Sequence, residues 1–131
     1  MMNFIVKPES EVFKMSSAQL AFVGDAVYEL CVRERLASEH EGNIGYINSL
    51  KVKLVCCTAQ ANFLDKIIDM LTEREMMIYK RGRNAHIGNV PKKIAPAIYH
   101  SATGLEALFG YLYLSGNLNR IKQLMNELAL L

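Results

Sequence analysis

The chain has 131 residues, of which 51% are hydrophobic and 21% are charged, and its formal net charge is +2. This composition and length are typical of one globular domain with a modest core. We expect this domain to span residues 1–131. No apolar run reaches the roughly 18 residues of a membrane span, and the N-terminus lacks a secretory signal pattern, so we expect a cytoplasmic protein. The three cysteines fit neither a disulfide framework nor zinc-ligand spacing, and we expect them to be reduced core residues.

Apolar residues recur at helical spacing along nearly the whole chain, and no segment favours a strand. Residues 1–15 are predicted to form an irregular lead-in, because Pro8 opposes a helix there. Ser16 or Ser17 can cap the first helix, and Thr72 with Glu75 forms a capping box for a later one. The predicted helices cover about 16–37, 46–71, 72–80, 101–115 and 118–131. The sequence therefore predicts an all-α fold with about five main helices.

The positive charge is concentrated in one segment. No acidic residue lies between positions 75 and 106, whereas this stretch contains Lys80, Arg81, Arg83, Lys92 and Lys93. Glycines and prolines interrupt residues 82–100, which we predict to be a long loop. A loop of this length within a compact domain is usually functional or disordered.

Two acids stand inside apolar helical runs. Asp25 falls opposite the stripe of Leu20, Val23 and Val27, and Glu106 lies off the stripe of its own helix. An isolated buried carboxylate is costly, so such an acid is normally paired, hydrogen-bonded or bound to a metal. Each acid alone could equally be an exposed residue or the partner of a lysine.

Small side chains accompany both acids and leave room for a hydrated cation or a substrate backbone. Ala18 and Ala21 share the face of Asp25, and Thr103 and Gly110 share that of Glu106. Mg²⁺ prefers carboxylate oxygens and retains several waters, and it can activate water for phosphodiester hydrolysis. The two acids and the basic segment together therefore predict metal-dependent hydrolysis of a nucleic acid. Glu29, one turn after Asp25, is either an additional acid of the site or a partner of Arg33.

These segments resemble the ribonuclease III family. Phe22-Val-Gly-Asp25-Ala-Val is similar to the signature helix of the family, and Thr103-Gly-Leu-Glu106-Ala-Leu-Phe-Gly-Tyr-Leu to its second acidic segment. Arg81-Gly-Arg-Asn-Ala85, followed by Pro91-Lys92, resembles the loop of the Mini-ribonuclease III branch. The resemblance implies an all-α ribonuclease III endonuclease-domain fold, a homodimer, Mg²⁺ as cofactor and cleavage of double-stranded RNA. It assigns Asp25 and Glu106 to metal binding and catalysis.

The chain departs from full-length ribonuclease III at three acidic positions. Thr103 stands where the family has an acid three residues before its catalytic glutamate, and Ala21 and Ala18 stand where it has glutamates before its catalytic aspartate. The Mini-ribonuclease III branch shares such reductions. The departures also allow a second interpretation, in which the chain is a catalytically reduced module that binds RNA without cleaving it. A helical protein-interaction domain with no RNA role is the third interpretation.

The 131 residues leave no room for the double-stranded-RNA-binding domain of full-length relatives, so we expect the catalytic domain itself to hold RNA. Double-stranded RNA is recognised mainly through phosphates and 2′-hydroxyls. Arg81, Arg83, Lys92 and Lys93 suit phosphates, and Asn84 suits a ribose or a base edge. The resemblance further implies a stem of the 23S ribosomal RNA precursor as substrate, with a large-subunit ribosomal protein as a second partner.

Overall fold

The computed structural model describes residues 5 and 7–129 and contains only helices and connecting segments within them. In chain order the α-helices are α1 (Glu9–Phe13), α2 (Ser17–Glu39), α3 (Ile44–Val55), α4 (Cys57–Ile67), α5 (Glu73–Asn84), α6 (Pro96–Leu114) and α7 (Leu118–Met125). A short 3₁₀ turn, Ile68–Met70, follows α4. The predicted all-α class is confirmed. Among the described helices, none is long and apolar enough to cross a membrane.

Helix α6 lies at the centre of the fold and packs against α2, α4 and α5. Leu105, Leu108 and Phe109 of α6 are fully buried. The Phe109 ring meets the Tyr28 ring of α2 edge to face, with 5.7 Å between centroids. The buried Tyr28 hydroxyl donates to the carbonyl of Leu54 in α3 at 3.0 Å, so this polar atom has a partner inside the core. The Tyr28 side chain thus connects α2 both to α6 and to α3.

Helices α2 and α6 touch backbone to backbone where they cross. A Cβ atom on Gly24 would overlap the carbonyl group of Glu106, and one on Gly110 would overlap the carbonyl group of Leu20. Glycine in a helix interior costs roughly 1 kcal/mol relative to alanine. Here the cost is offset by a contact that no larger residue permits. The crossing brings the residue after Gly24, which is Asp25, next to Glu106.

The helix boundaries differ from the prediction in several places. The last helix, predicted to cover 118–131, ends at Met125, where a turn follows. The predicted helix over 46–71 is divided, because Cys56 has an extended backbone (φ −67°, ψ 160°) that ends α3 and starts α4. Pro8 does not prevent an early helix but immediately precedes α1. Helix α5 continues to Asn84, and α6 begins at Pro96, where a proline needs no hydrogen-bond partner for its nitrogen. The loop is therefore residues 85–95, shorter than predicted.

The cysteine prediction is confirmed in one respect and wrong in another. Cys31, Cys56 and Cys57 form no disulfide, as expected. Cys56, however, is exposed at the junction of α3 and α4, whereas the other two are half-buried. Its place at a helix junction, rather than on a buried helix face, explains the exposure.

Ion pairs connect α5 to α1 and to α7. Near the N-terminus, Arg74 binds Glu9 at 2.7 Å, and the Tyr111 hydroxyl donates to the same carboxylate at 2.6 Å. Near the C-terminus, Arg120 of α7 binds the buried carboxylate of Glu75 at 2.9 Å. Arg120 also donates to the Met70 carbonyl. These contacts fix α5, from which the basic segment extends.

Candidate active site

Asp25 and Glu106 meet in a surface groove between α2 and α6. The groove has a volume of about 740 Å³, and both acids line it. The Asp25 carboxyl is close enough to raise the pKa of the Glu106 carboxyl through hydrogen bonding and charge. Asp25 is exposed and Glu106 is half-buried. The two acids that the sequence singled out are thus close together, with one open to solvent and the other at the bottom of the groove.

The surroundings of Glu106 favour its neutral form. Burial raises the pKa of the Glu106 carboxyl from 4.5 to about 8, and the hydrogen bond and negative charge of Asp25 add to this effect. The Gln60 amide acts in the opposite direction through a hydrogen bond to the carboxylate. A pair of carboxylates that cannot both ionise at low cost is a site with high affinity for positive charge. A bound cation would remove the repulsion and return both groups to the ionised form.

The first turn of α4 lies near the two acids but does not line the groove. Gln60 is only 3% exposed although it is polar. The pKa of the Cys57 thiol is raised by partial burial and by the charges of Glu106 and Asp25, as expected for a thiol beside the acids. The sequence analysis missed Gln60. A signal was present, because Gln60 stands at helical spacing from Phe63, Leu64 and Ile67 on a face that is otherwise apolar.

Three small residues line the groove beside the acids, at the positions where the resemblance implies acids in full-length ribonuclease III. Ala18 and Ala21 lie on α2, and Thr103 lies on α6. The Thr103 hydroxyl donates to the Tyr99 carbonyl of its own helix at 3.1 Å. Glu29 instead binds Arg33 at 2.8 Å, which is the ion-pair alternative that the spacing allowed. The structure therefore presents two carboxylates to the groove.

The residues present fit a magnesium ion. Within the described part of the chain no cluster of three or more histidine, cysteine or acidic side chains could hold a metal. Mg²⁺ does not require such a cluster, since it is commonly bound by one or two carboxylates with waters and substrate phosphates completing the shell. Asp25 and Glu106 supply hard oxygen ligands next to an open groove. A softer metal would favour nitrogen and sulfur ligands, whereas the acids that line this groove offer oxygen.

The predicted RNA-binding residues occupy the end of α5 and the loop that follows it. Arg83 is half-buried over the Tyr79 ring, 5.6 Å from its centroid, and donates to the Asn84 side chain at 3.1 Å. Lys92 and Lys93 are exposed in the loop. Arg81 differs, because it points toward the N-terminal segment.

The Arg81 guanidinium donates to the Phe13 carbonyl at 2.8 Å and covers the Phe13 ring at 4.8 Å. Its part in RNA binding stays a prediction, alongside this structural contact. The loop itself borders the groove, since Ile87 contributes to the groove wall together with Tyr99 of α6. The loop that carries Lys92 and Lys93 thus reaches the groove of the acids through Ile87.

The outer face of α2 is apolar and exposed. Phe22, Ala26 and Leu30 follow one another at four-residue spacing on this face, and Phe22 is 83% exposed. The same three residues line the groove. Helix α2 therefore has apolar residues both toward the core and toward solvent, and the solvent side adjoins Asp25.

The chain is similar in sequence to known proteins of one family, and in fold to a solved structure. Residues 18–117 match the family profile described as ribonuclease III domain. The chain is 38% identical over 129 residues to a Mini-ribonuclease 3 of a Thermoanaerobacter species, with 95% of this chain and 91% of that protein covered. A Mini-ribonuclease 3 of Symbiobacterium thermophilum is 41% identical over 110 residues, covering 84% and 85%. The crystal structure of a Fusobacterium nucleatum protein is similar with a TM-score of 0.81 and 32% identity, covering 92% of this chain and 94% of that one.

Proposed function

The chain belongs to the ribonuclease III family, as an endoribonuclease of double-stranded RNA of the Mini-ribonuclease 3 type, and we propose that Asp25 and Glu106 hold the Mg²⁺ ion on which its reaction depends. The observation that carries the proposal is that these two carboxyl groups, from two different helices, line the same open groove. Each is an acid inside an apolar helical run. Two helix-interior glycines, Gly24 and Gly110, allow α2 and α6 to approach closely enough to bring the acids together.

The residues around the groove would hold the ion and leave space for the phosphodiester of the RNA. When bound, Mg²⁺ supplies an activated water and stabilises the negative charge that develops on the phosphate. Asp25 is exposed on α2 and would meet the RNA, whereas Glu106 is half-buried on α6 and would hold the ion from the protein side. Ala18 and Ala21 leave space for the RNA backbone beside Asp25. Hydrolysis would leave a 5′-phosphate and a 3′-hydroxyl.

The basic segment is proposed to hold the RNA. Lys92 and Lys93 are exposed, and Arg83 with Asn84 lies where α5 ends, so these four side chains can reach phosphates and riboses along one side of the groove. Double-stranded RNA is read by its shape, which requires several such contacts rather than a base-specific pocket. These residues would therefore hold the duplex through its phosphates and riboses.

A homodimer would place two such sites on one duplex. Exposed apolar patches mark interaction surfaces, and the outer face of α2, which carries Phe22, adjoins Asp25. A second copy covering this face would set two sites side by side, one for each strand. Phe22→Asp should shift the protein to monomers in sedimentation equilibrium, whereas Ile44→Asp, at another exposed apolar residue, should not. An unchanged dimer in the first variant would exclude this face.

The substrate class proposed is a stem of the 23S ribosomal RNA precursor, in the cytoplasm, with a large-subunit ribosomal protein able to present it. The support is the membership of the Mini-ribonuclease 3 branch together with a basic surface suited to a duplex. Cleavage of the precursor stem can be compared with cleavage of an unrelated duplex of equal length. Equal rates on both would contradict a preference for this stem.

A second function is a module that binds RNA without cleaving it. It is favoured by Ala18, Ala21 and Thr103, which line the groove where acids would add negative charge. One assay separates the two functions: wild-type protein and Asp25→Asn are each incubated with duplex RNA and Mg²⁺. We expect cleavage by the wild type and a large loss in the variant. Equal cleavage by both would refute the role of Asp25, and binding without cleavage by the wild type would establish the module.

A further inference from the structure

Two histidines that the proposed reaction does not use contact each other beside the groove. His86 lies in the loop, two residues after the end of α5, and His100 lies near the start of α6. Their ring centroids are 4.3 Å apart, and the ring planes are tilted by 51°. At this distance the two rings touch. The contact therefore connects the loop to the helix that carries Glu106.

This arrangement contains two unfavourable features. His86 has a φ of 53°, and no other non-glycine residue that the structure describes has a positive φ. The Nδ1 atom of His100 is buried and has no hydrogen-bond partner within the described part of the chain. Buried polar atoms normally have a partner, and left-handed backbone at a non-glycine residue persists only where the surrounding structure imposes it. The contact between the loop and α6 therefore has to offset both costs.

The two residues after His86 also lie against α6. Gly88 has a φ of 72°, and a Cβ atom there would lie 3.0 Å from the Tyr99 hydroxyl. Glycine suits this position for both reasons, since it tolerates the left-handed backbone and leaves room for Tyr99. Ile87 stands between the two left-handed residues and lines the same groove as Tyr99 and Glu106. The turn at 86–88 thus places one apolar side chain in the groove of the acids.

We propose that His86 and His100 are positioning residues, which hold the loop against α6 so that Ile87 borders the groove and Lys92 and Lys93 meet the RNA duplex. The inference rests on the proposed function, in which the groove receives the duplex. A loop that is ordered before binding loses less conformational entropy on binding, which increases affinity. The two histidines would therefore act on substrate binding rather than on the chemical step.

The test removes the ring contact from each side. His100→Ala deletes one ring, and His86→Asn deletes the other but keeps a residue type that tolerates left-handed backbone. His100→Phe retains a ring that can pack on His86 and removes the unpartnered nitrogen. His40→Ala is the matched control, because the His40 ring also contacts an aromatic residue, Tyr46, but lies at the end of α2.

Two properties of the full chain are measured for each variant. The heteronuclear nuclear Overhauser effect of the Ile87 and Gly88 amides reports how well the loop is ordered. Steady-state cleavage of duplex RNA with Mg²⁺ gives KM and kcat separately. The thermal midpoint shows that each variant is folded at the temperature of the measurements.

We expect reduced loop order in His100→Ala and His86→Asn, and wild-type order in His100→Phe and His40→Ala. If the ordered loop falls to roughly a tenth of the molecules, KM should rise about tenfold in the first two variants, because only that fraction binds RNA with full affinity. Their kcat should stay within about twofold of the wild type, since an interaction that contributes only to binding changes KM alone.

Three results would overturn the inference. The first is wild-type loop order in His100→Ala and His86→Asn, which would show that the ring contact does not hold the loop. The second is wild-type KM in a variant whose loop has lost its order. The third is a His100→Phe variant as impaired as His100→Ala, because the ring would then not be the cause.

Failure of the proposed function gives a different result, namely a wild-type protein that does not cleave the duplex. Duplex affinity without divalent ions then replaces KM, and the same comparison of variants decides the role of the two histidines. A wild-type protein that does not bind the duplex at all would refute both proposals.

Discussion

The pair of carboxyl groups predicts that replacing Glu106 with glutamine stabilises the metal-free protein at alkaline pH. Glutamine matches the size and the neutral state of a protonated glutamate. Burial, followed by the hydrogen bond and charge of Asp25, raises the pKa of Glu106 from 4.5 to about 8. A raised pKa in the folded state means that the contribution of this group to stability is complete below pH 4.5 and is lost as the pH rises through about 8.

The size of the effect follows from this pKa. Moving a carboxyl pKa from 4.5 to about 8 corresponds to about 5 kcal/mol at full strength, since each tenfold change in proton affinity is about 1.4 kcal/mol. Glu106 is only half-buried, so solvent screening reduces the expected value to about 2 kcal/mol. Relative to the wild type, Glu106→Gln should therefore gain about 2 kcal/mol between pH 5 and pH 9.

Urea unfolding followed by circular dichroism, in the presence of a chelator, measures this gain. Glu29→Gln is the control, because it removes a carboxylate from the same helix as Asp25 that is paired with Arg33 at the surface. The control should show no comparable gain at pH 9. A Glu106→Gln variant whose stability relative to wild type is the same at both pH values, or falls at pH 9, would refute the reasoning.

Three further predictions concern the frame of the site and its RNA surface. Gly24→Ala should cost about 3 kcal/mol or prevent folding, as measured by chemical denaturation, because the new Cβ would overlap the backbone of α6; a loss below about 1 kcal/mol would mean that the crossing can relax. Arg120→Met should cost about 3 kcal/mol by leaving a buried carboxylate unpaired, whereas Arg33→Met, at an exposed pair, should cost at most about 1; equal losses would contradict this difference. Replacing Lys92 and Lys93 with glutamine should weaken duplex binding and reduce its salt slope by about 1 for each lost phosphate contact, as seen in affinities across a salt series; an unchanged slope would remove the loop from the RNA surface.

The sequence indicates that the acids and the glycines make special contacts, because each of these residues is unfavourable for its local sequence. Asp25 and Glu106 interrupt apolar runs, and Gly24 and Gly110 stand in helix interiors where alanine would be favoured. Such violations indicate contacts that local sequence cannot supply. The all-α class was predictable for the complementary reason, namely that apolar spacing of three and four residues dominates the chain.

Other features depend on contacts between distant segments. The break at Cys56 has no glycine or proline to signal it, and it arises where α4 turns to pack against α6. Arg81 was assigned to an RNA-binding loop, but α5 continues beyond it and directs its guanidinium to Phe13. Gln60 was overlooked because a single polar residue on an apolar face becomes informative only when its partner, Glu106, is known. Tertiary packing, rather than propensity, decides these three features.

The central claim is that Asp25 and Glu106 together hold the divalent ion of the reaction. A crystal structure of the wild-type protein soaked in Mn²⁺, with anomalous data collected at the manganese edge, tests it most directly. The account predicts one anomalous peak in the groove, within coordination distance of both carboxylates. A peak elsewhere on the protein, or two carboxylates turned away from a bound ion, would contradict it.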